Sequence, residues 1–322
     1  MRVLIRGAGV AGLTTAFELM RRGASVTVAE RQDRAGGMAS WYAGGMLAPW
    51  CERENADQKV LELGIKATDW WESVLPSHVE RMGTLVVAAG RDRAELDRFA
   101  SRTSGYEKIS AGEIGDLEPD LSGRFRNGLF FAEEAHMDPR AAMLTLWRQL
   151  ENGGVAFRFG DDGSCAEEFD CEIDCTGMAS EATGLRGVRG EMLLMRVQGI
   201  TLSRPVRLLH PRIPVYVVPR GDGLFMVGAT MVESEADGSV TARSLMELLN
   251  AAYALHPAFG EAEVVEIGVG VRPAYPDNFP RVTGHNDVIR LNGLYRHGFL
   301  LAPVLAQEAA QQAMARGGMS GG

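Results

Sequence analysis

Lysine is almost missing from this chain of 322 residues: only Lys59, Lys66 and Lys108 occur, and every other basic residue is an arginine. That bias reads first as genomic composition, and it makes any single arginine a surface charge by default. Positive charge is also short overall. The formal net charge of −9 argues against a nucleic-acid partner, which would ask for a basic stripe. No stretch approaches the roughly 18 consecutive apolar residues of a membrane span. The apolar start, MRVLIRGAGVAG, is interrupted by Arg6 and leads to no small-residue cleavage site, so it is not a signal peptide; the lack of a targeting segment favours the cytoplasm. Cysteine is sparse. Cys51, Cys165, Cys171 and Cys175 form no CxxC and no zinc spacing, as suits a reducing compartment. His136, Asp277 and His285 show no metal-ligand pattern either, and no metal is expected. There is no internal repeat.

What is present is an ordinary globular composition, 46% hydrophobic and 23% charged, long enough for one large or two intermediate domains. Val3–Ile5 reads as a buried strand, Leu13–Arg22 as an amphipathic helix and Ser25–Ala29 as a second strand ending at Glu30. A helix is expected through Asp57–Val74, closed by Pro76, and another at Arg93–Arg102. Strands are expected at Gly83–Ala89 and Gly128–Phe131. Asp138-Pro139 opens a helix to about Glu151, with Asp138 as N-cap and Pro139 at the first helical position. Short strands follow at Val155–Arg158 and Glu172–Cys175. From Gly190 to Met231 the pattern changes to alternating apolar runs (Glu191–Val197, Pro205–Leu209, Val215–Pro219, Leu224–Gly228) broken by turn residues, an antiparallel signature. A helix at Ser244–Leu255, strands at Val264–Val271 and Val288–Leu291, a helix over Leu300–Met314 and an unstructured Gly-rich tail complete the chain. This order implies interleaving: residues 1–75, 134–185 and 262–322 form a nucleotide-binding domain, and 76–133 and 186–261 a second, substrate-binding domain.

The strongest motif is Gly7-Ala8-Gly9-Val10-Ala11-Gly12. A lone GxGxxG is weak, but this one follows a strand, opens a helix and precedes a strand ending in Glu30, about 20 residues on. Gly7 permits the tight turn, Gly9 lets the backbone approach a pyrophosphate, and Gly12 allows close helix–strand packing. The helix N-terminus offers unpaired N–H groups to phosphate, and Glu30 would accept from the adenosine ribose. Arg31, Arg34, Gly36-Gly37 and Met38-Ala39-Ser40 resemble the RxGGxxS extension of FAD-binding oxidoreductases, so the dinucleotide expected is FAD. Asp174-Cys175-Thr176-Gly177 resembles the strand-end element that meets FAD again in such chains. No cysteine follows Cys175, so a thiol link to the flavin from the C-terminal part is excluded and the FAD is expected to be non-covalent.

Further blocks carry a specific resemblance. They are Tyr42–Pro49 (YAGGMLAP), Val188–Met192 (VRGEM), Tyr216–Arg220 (YVVPR), Gly228–Met231 (GATM), Gly270–Pro273 (GVRP) and Tyr295–Pro303 (YRHGFLLAP). Together they are similar, from end to end, to the D-amino-acid oxidase/glycine oxidase family, most closely the glycine oxidases of thiamin biosynthesis. The fold implied is α/β, a Rossmann-type FAD-binding domain interleaved with an antiparallel-sheet substrate domain. The reaction implied is oxidative deamination of glycine or another small amino acid or amine (D-alanine, sarcosine), with oxygen as acceptor. The resemblance puts Arg272 in the role of substrate-carboxylate clamp, Tyr216 as a further donor, Arg296 as a second active-site arginine near the mouth, and Met231 on the pocket floor. It places Gly45, Met46 and Leu47 beside the flavin ring, and Thr176, Gly177, Arg272, Arg296, His297, Gly298, Phe299 and Leu300 among the cofactor contacts. His297 stands where the family has asparagine and is given no catalytic role. The chain departs from the family in a shortened connection between Gly177 and Gly190 and in Pro214, which replaces a histidine lining the site. Dehydrogenases using a non-oxygen acceptor, non-catalytic FAD scaffolds and flavin-dependent RNA-modifying enzymes share parts of this pattern; the acidic charge counts against the last, and Arg272 with Tyr216 against the scaffold. A homo-oligomer is compatible with the sequence.

Overall fold

The computed structural model describes residues 1–33, 36–164, 168–212, 214–285 and 288–319. Arg34 and Cys165 therefore lie outside the described residues, as does the end of the Gly-rich tail.

The first unit folds as its sequence dictates. Strand β1 (Arg2–Arg6), helix α1 (Val10–Arg21) and strand β2 (Ser25–Glu30) form a βαβ unit in which β1 and β2 pair in parallel, Arg2 opposite Ser25 through Arg6 opposite Ala29. Val3, Ile5 and Val28 are fully buried, each burial worth roughly 1.5–3 kcal/mol. The turn between β1 and α1 needs its glycines. Gly7 has φ 98°, and a Cβ there would lie 2.6 Å from the Cys175 carbonyl oxygen. A Cβ on Gly12 would overlap the carbonyl oxygen of Gly7, so only glycine lets α1 close onto the strand.

Around this unit lies a six-stranded sheet. Its order from edge to edge is Arg281–His285, Val288–Asn292, Cys171–Asp174, β1, β2 and Ala156–Phe159, parallel throughout except for the first pair. Helix Pro139–Asn152 covers it with the predicted cap, Asp138 accepting from Arg140 N at 2.8 Å. The long C-terminal helix, Gly298–Met319, packs against α1. Pro303 lies inside that helix and has no N–H to give the carbonyl of Phe299. The buried indole of Trp71 supplies the missing donor at 2.8 Å, which is how a helical proline is tolerated here.

A nine-stranded sheet forms the second layer. It runs Val232–Glu233, Arg186–Arg196, Leu224–Gly228, Val215–Pro219, Val206–Leu209, Thr84–Ala88, Asn127–Phe131 and Glu107–Ser110. Strand Glu263–Ala274 pairs with Arg186–Arg196 along its length. Its own core gathers Leu193, Val206, Val217, Val227 and Leu248.

Four readings of the sequence change. Glu263–Ala274, grouped above with residues 262–322, is a strand of the nine-stranded sheet, because a partner distant in sequence, Val188 for Arg272 or Gly190 for Gly270, takes up its hydrogen bonds. The segment Asp57–Val74 is two helices, Gln58–Gly64 and Ala67–Val74. The antiparallel sheet holds one parallel pair, Val206–Leu209 with Thr84–Ala88. The last helix continues through the glycines to Met319.

Candidate active site

A cleft of about 560 Å³ is lined from both sheets, within the usual range for small-molecule sites. Its nucleotide end is built by the βαβ unit. Gly7, Gly9, Glu30 and Arg31 line it, followed by Gly37, Met38, Ala39 and Ser40. The N-cap Gly9 offers α1 no side-chain cap; Ser40 Oγ accepts from Val10 N at 3.1 Å. Glu30, at the end of β2, accepts from Ala8 N at 2.8 Å and Gln32 N at 3.1 Å, which fixes its carboxylate over the glycine turn. These features fit a dinucleotide: a helix N-terminus, Gly9 to Ala11, facing the cleft for pyrophosphate and a fixed carboxylate one strand away for a ribose.

Further along, Gly45 and Met46 line the cleft. Gly45 has φ 69°, and a side chain there would run into the Met137 carbonyl. Arg220 holds this segment, donating to the carbonyls of Met137 (2.8 Å), Ala43 (3.1 Å) and Gly44 (2.9 Å). Burial pushes its guanidinium down to about 10. Thr176 and Gly177 reach the cleft from the end of strand Cys171–Asp174, and Gly298, Phe299 and Leu300 from the start of the last helix.

At the other end Tyr216, Arg272 and Arg296 come together from three separate segments. Arg272 stands on Glu263–Ala274 opposite Val188, and its guanidinium lies over Gly190, where any Cβ would collide with it. Nη1 donates to the Thr230 carbonyl at 3.2 Å, and among the described residues no carboxylate pairs with it. Burial, reinforced by the nearby Arg296, lowers its pKa to about 10. Arg296 is different: its Nη2 meets Glu52 Oε1 at 3.2 Å. Glu52 also accepts from the Tyr216 hydroxyl at 3.1 Å, and His297 Nδ1 lies 3.3 Å from its Oε2. Burial opposes ionisation of Glu52, but Arg296 and His297 outweigh it and hold the carboxyl well below the usual range. The Tyr216 oxygen in turn accepts from Arg207 Nη1 at 2.8 Å. Arg207 is buried, its Nη2 3.4 Å from Glu54 Oε2.

The sequence profile of the DAO family, FAD dependent oxidoreductases, matches residues 2–312. The chain belongs to this family. A protein of Rhizobium etli that carries the provisional name thiamine biosynthesis oxidoreductase ThiO is 59% identical over 320 residues, covering 99% of this chain and 98% of its own length. A glycine oxidase of Pseudomonas putida is 28% identical over 352 residues, 95% of this chain and 92% of its own. In fold, the chain matches the crystal structure of glycine oxidase from Geobacillus kaustophilus with a TM-score of 0.81 at 20% identity, over 98% of this chain and 95% of that one.

As a DAO-family protein the chain is an FAD-dependent oxidoreductase, and most residues singled out in its sequence line one cleft. Three described ones do not. Gly12 lies behind the turn as a packing contact, Leu47 is wholly buried in the core, and His297 is buried against Glu52. Met231 is not on the floor. It is 48% exposed, its sulfur 3.3 Å from Arg296 Nη1, because the Gly228–Met231 turn leaves the sheet before reaching it. Glu52, Arg207 and Arg220 have direct roles in the cleft's geometry that the sequence reading missed. Arg220 stood inside a matched block without a role. Glu52 lies just past Pro49, where the quoted block ends, and reads as one more charge on a short helix.

Among the described residues no helix is long and apolar enough to cross a membrane.

Proposed function

We propose that this DAO-family enzyme oxidises the α-carbon–nitrogen bond of a small amino acid, glycine, sarcosine or D-alanine, with oxygen as electron acceptor, in thiamin biosynthesis. The observation that carries the reading is Arg272, a guanidinium in the cleft wall whose hydrogen bond goes to a backbone carbonyl and which, among the described residues, forms no ion pair with a carboxylate. The glycine oxidase name of the Pseudomonas putida relative and the ThiO name of the Rhizobium etli relative support the substrate class and the pathway.

Bound FAD supplies the acceptor for the hydride that leaves the α-carbon. The chain's own task is positioning. Arg272 would grip the substrate carboxylate through its planar fork, which sets the direction of the Cα–H bond, and fixing that geometry is where much of the rate comes from. Tyr216, in the middle of the Arg207–Tyr216–Glu52 chain of hydrogen bonds, with its hydroxyl proton given to Glu52, would wall the pocket beside the same carboxylate. The amine becomes an imine, which water hydrolyses to the keto acid and ammonia, or methylamine in the case of sarcosine. Glu30 and the N-terminus of α1 would hold the adenosine and pyrophosphate, and the Ala43–Met46 segment held by Arg220 would lie along the ring. Cys175 lines the cleft, but burial holds its thiol well above the usual range, a poor nucleophile, in keeping with a non-covalent cofactor.

The test is product analysis in air. Purified FAD-loaded protein given glycine should release glyoxylate, ammonia and hydrogen peroxide in equal amounts. Keto acid without peroxide, appearing only with an added electron acceptor, would make it a dehydrogenase. No keto acid from glycine, sarcosine or D-alanine would overturn the substrate class.

A further inference from the structure

Three arginines, Arg207, Arg272 and Arg296, line the substrate end of the cleft. Two of them are already matched. Arg296 Nη2 lies 3.2 Å from Glu52 Oε1, and Arg207 Nη2 lies 3.4 Å from Glu54 Oε2. Asp237 reaches the lining only on the exposed rim and is paired with none of the three. Arg272 is left, among the described residues, with a backbone carbonyl and no carboxylate.

We propose that Glu52 restricts the cleft to substrates with a single carboxylate, by holding Arg296 and the Tyr216 hydroxyl so that Arg272 is left as the one arginine of the three without a carboxylate bonded to it. This rests on the reading of the cleft as an amino-acid pocket and adds what it rejects. The side chain of Glu52 occupies the donors that a second carboxylate would need. Arg296 is committed to it, and so is the Tyr216 proton: the tyrosine oxygen accepts from Arg207 at 2.8 Å, which turns the hydroxyl hydrogen toward Glu52 at 3.1 Å. An incoming ligand with two carboxylates would place one on Arg272 and face Glu52 with the other. Two anions in one partly desolvated site repel strongly, and rejection by a built-in like charge is a common way to discriminate ligands of the same shape. Glu52 is thus a specificity-determining residue, and its short helix, Pro49–Arg53, is the element that presents it.

The experiment is calorimetric titration of the FAD-loaded protein with two non-reacting ligands of nearly the same shape, malonate and its monoamide, malonamate. The first carries two carboxylates and the second one, so size cancels and charge remains. The parent should bind malonamate about tenfold or more tightly than malonate. Glu52→Gln frees Arg296 and should reverse that preference, and Glu52→Gln with Arg296→Gln should abolish the gain in malonate binding. A merely structural role for Glu52 would weaken both ligands alike and leave their ratio unmoved. Equal affinities in the parent, or an unchanged ratio in a folded Glu52→Gln variant, overturn the proposal while leaving the amino-acid reading intact. If Glu52→Gln does not fold, the parent's ratio alone decides. Absence of heat with both ligands in the parent contradicts the carboxylate pocket itself, and this proposal with it.

Discussion

Removing the Arg272 side chain should cost substrate binding and leave the protein whole. Within the protein the guanidinium makes one hydrogen bond, 3.2 Å to the Thr230 carbonyl, and is destabilised by burial and by Arg296. Arg272→Ala therefore removes a charge that the fold strains to keep, and the FAD spectrum and melting temperature should stay close to the parent's. What is lost is a charge-assisted, two-bond grip on the substrate carboxylate, about 2–5 kcal/mol when shielded from water. At about 1.4 kcal/mol per decade that is a fall in kcat/KM from roughly thirtyfold to several thousandfold, chiefly through KM. Arg272→Lys should recover only part, since an ammonium on a flexible stem cannot reproduce the planar fork. Amines without a carboxylate should be poor substrates that hardly distinguish parent from variant. Steady-state kinetics with glycine, D-alanine and a simple amine decides it. A folded, FAD-loaded Arg272→Ala protein with unchanged kcat/KM would refute the clamp, and Arg296, once released by Glu52, would be the next candidate.

Glu30→Gln should keep the fold but weaken FAD retention by roughly 1.5–3 kcal/mol, the worth of a charged hydrogen bond; equal FAD affinity by fluorescence titration would remove Glu30 from the ribose. Gly12→Ala forces a Cβ onto the Gly7 carbonyl and should lower the melting temperature and FAD loading together, whereas an unaffected variant would mean the turn can relax. Glu134 is buried with Cys51 N as donor at 2.7 Å, and burial raises its pKa from 4.5 to about 7. The protonated form is the one the fold favours, so its contribution, on the order of 3 kcal/mol, is present below about pH 4.5 and lost as pH rises toward 7. Glu134→Gln should flatten urea-measured stability across that window; an unchanged slope would show that Glu134 ionises normally.

How much of this was legible in the sequence depended on how local the determining contacts are. The β1–α1–β2 unit announces itself because strand, glycine turn, helix and Glu30 lie within 30 residues and each has a steric or electrostatic reason to be there. Arg272 and Tyr216 could be picked out through the blocks around them, and the structure places them at one end of one cleft. The partner of Glu263–Ala274 was hidden, because a strand's composition does not say which edge it will pair with. Glu52 was hidden for the same reason: its contacts with Tyr216 and Arg296 are 164 and 244 residues away. In an arginine-rich acidic chain, a glutamate on a five-residue helix carries no local mark of such partners. Met231 shows the opposite failure. Its block was recognisable, but whether a methionine after a turn points inward or out is set by the path of the chain.

The central claim, oxidation of a small amino acid in the Arg272 cleft, is tested most directly by mixing the FAD-loaded protein anaerobically with glycine, sarcosine or D-alanine and following the visible flavin band. Loss of the band at a rate that saturates with at least one of these substrates, and return of the band on admitting air, is the predicted result. A band unchanged by all three at millimolar concentration, in protein that dithionite still bleaches, would contradict it.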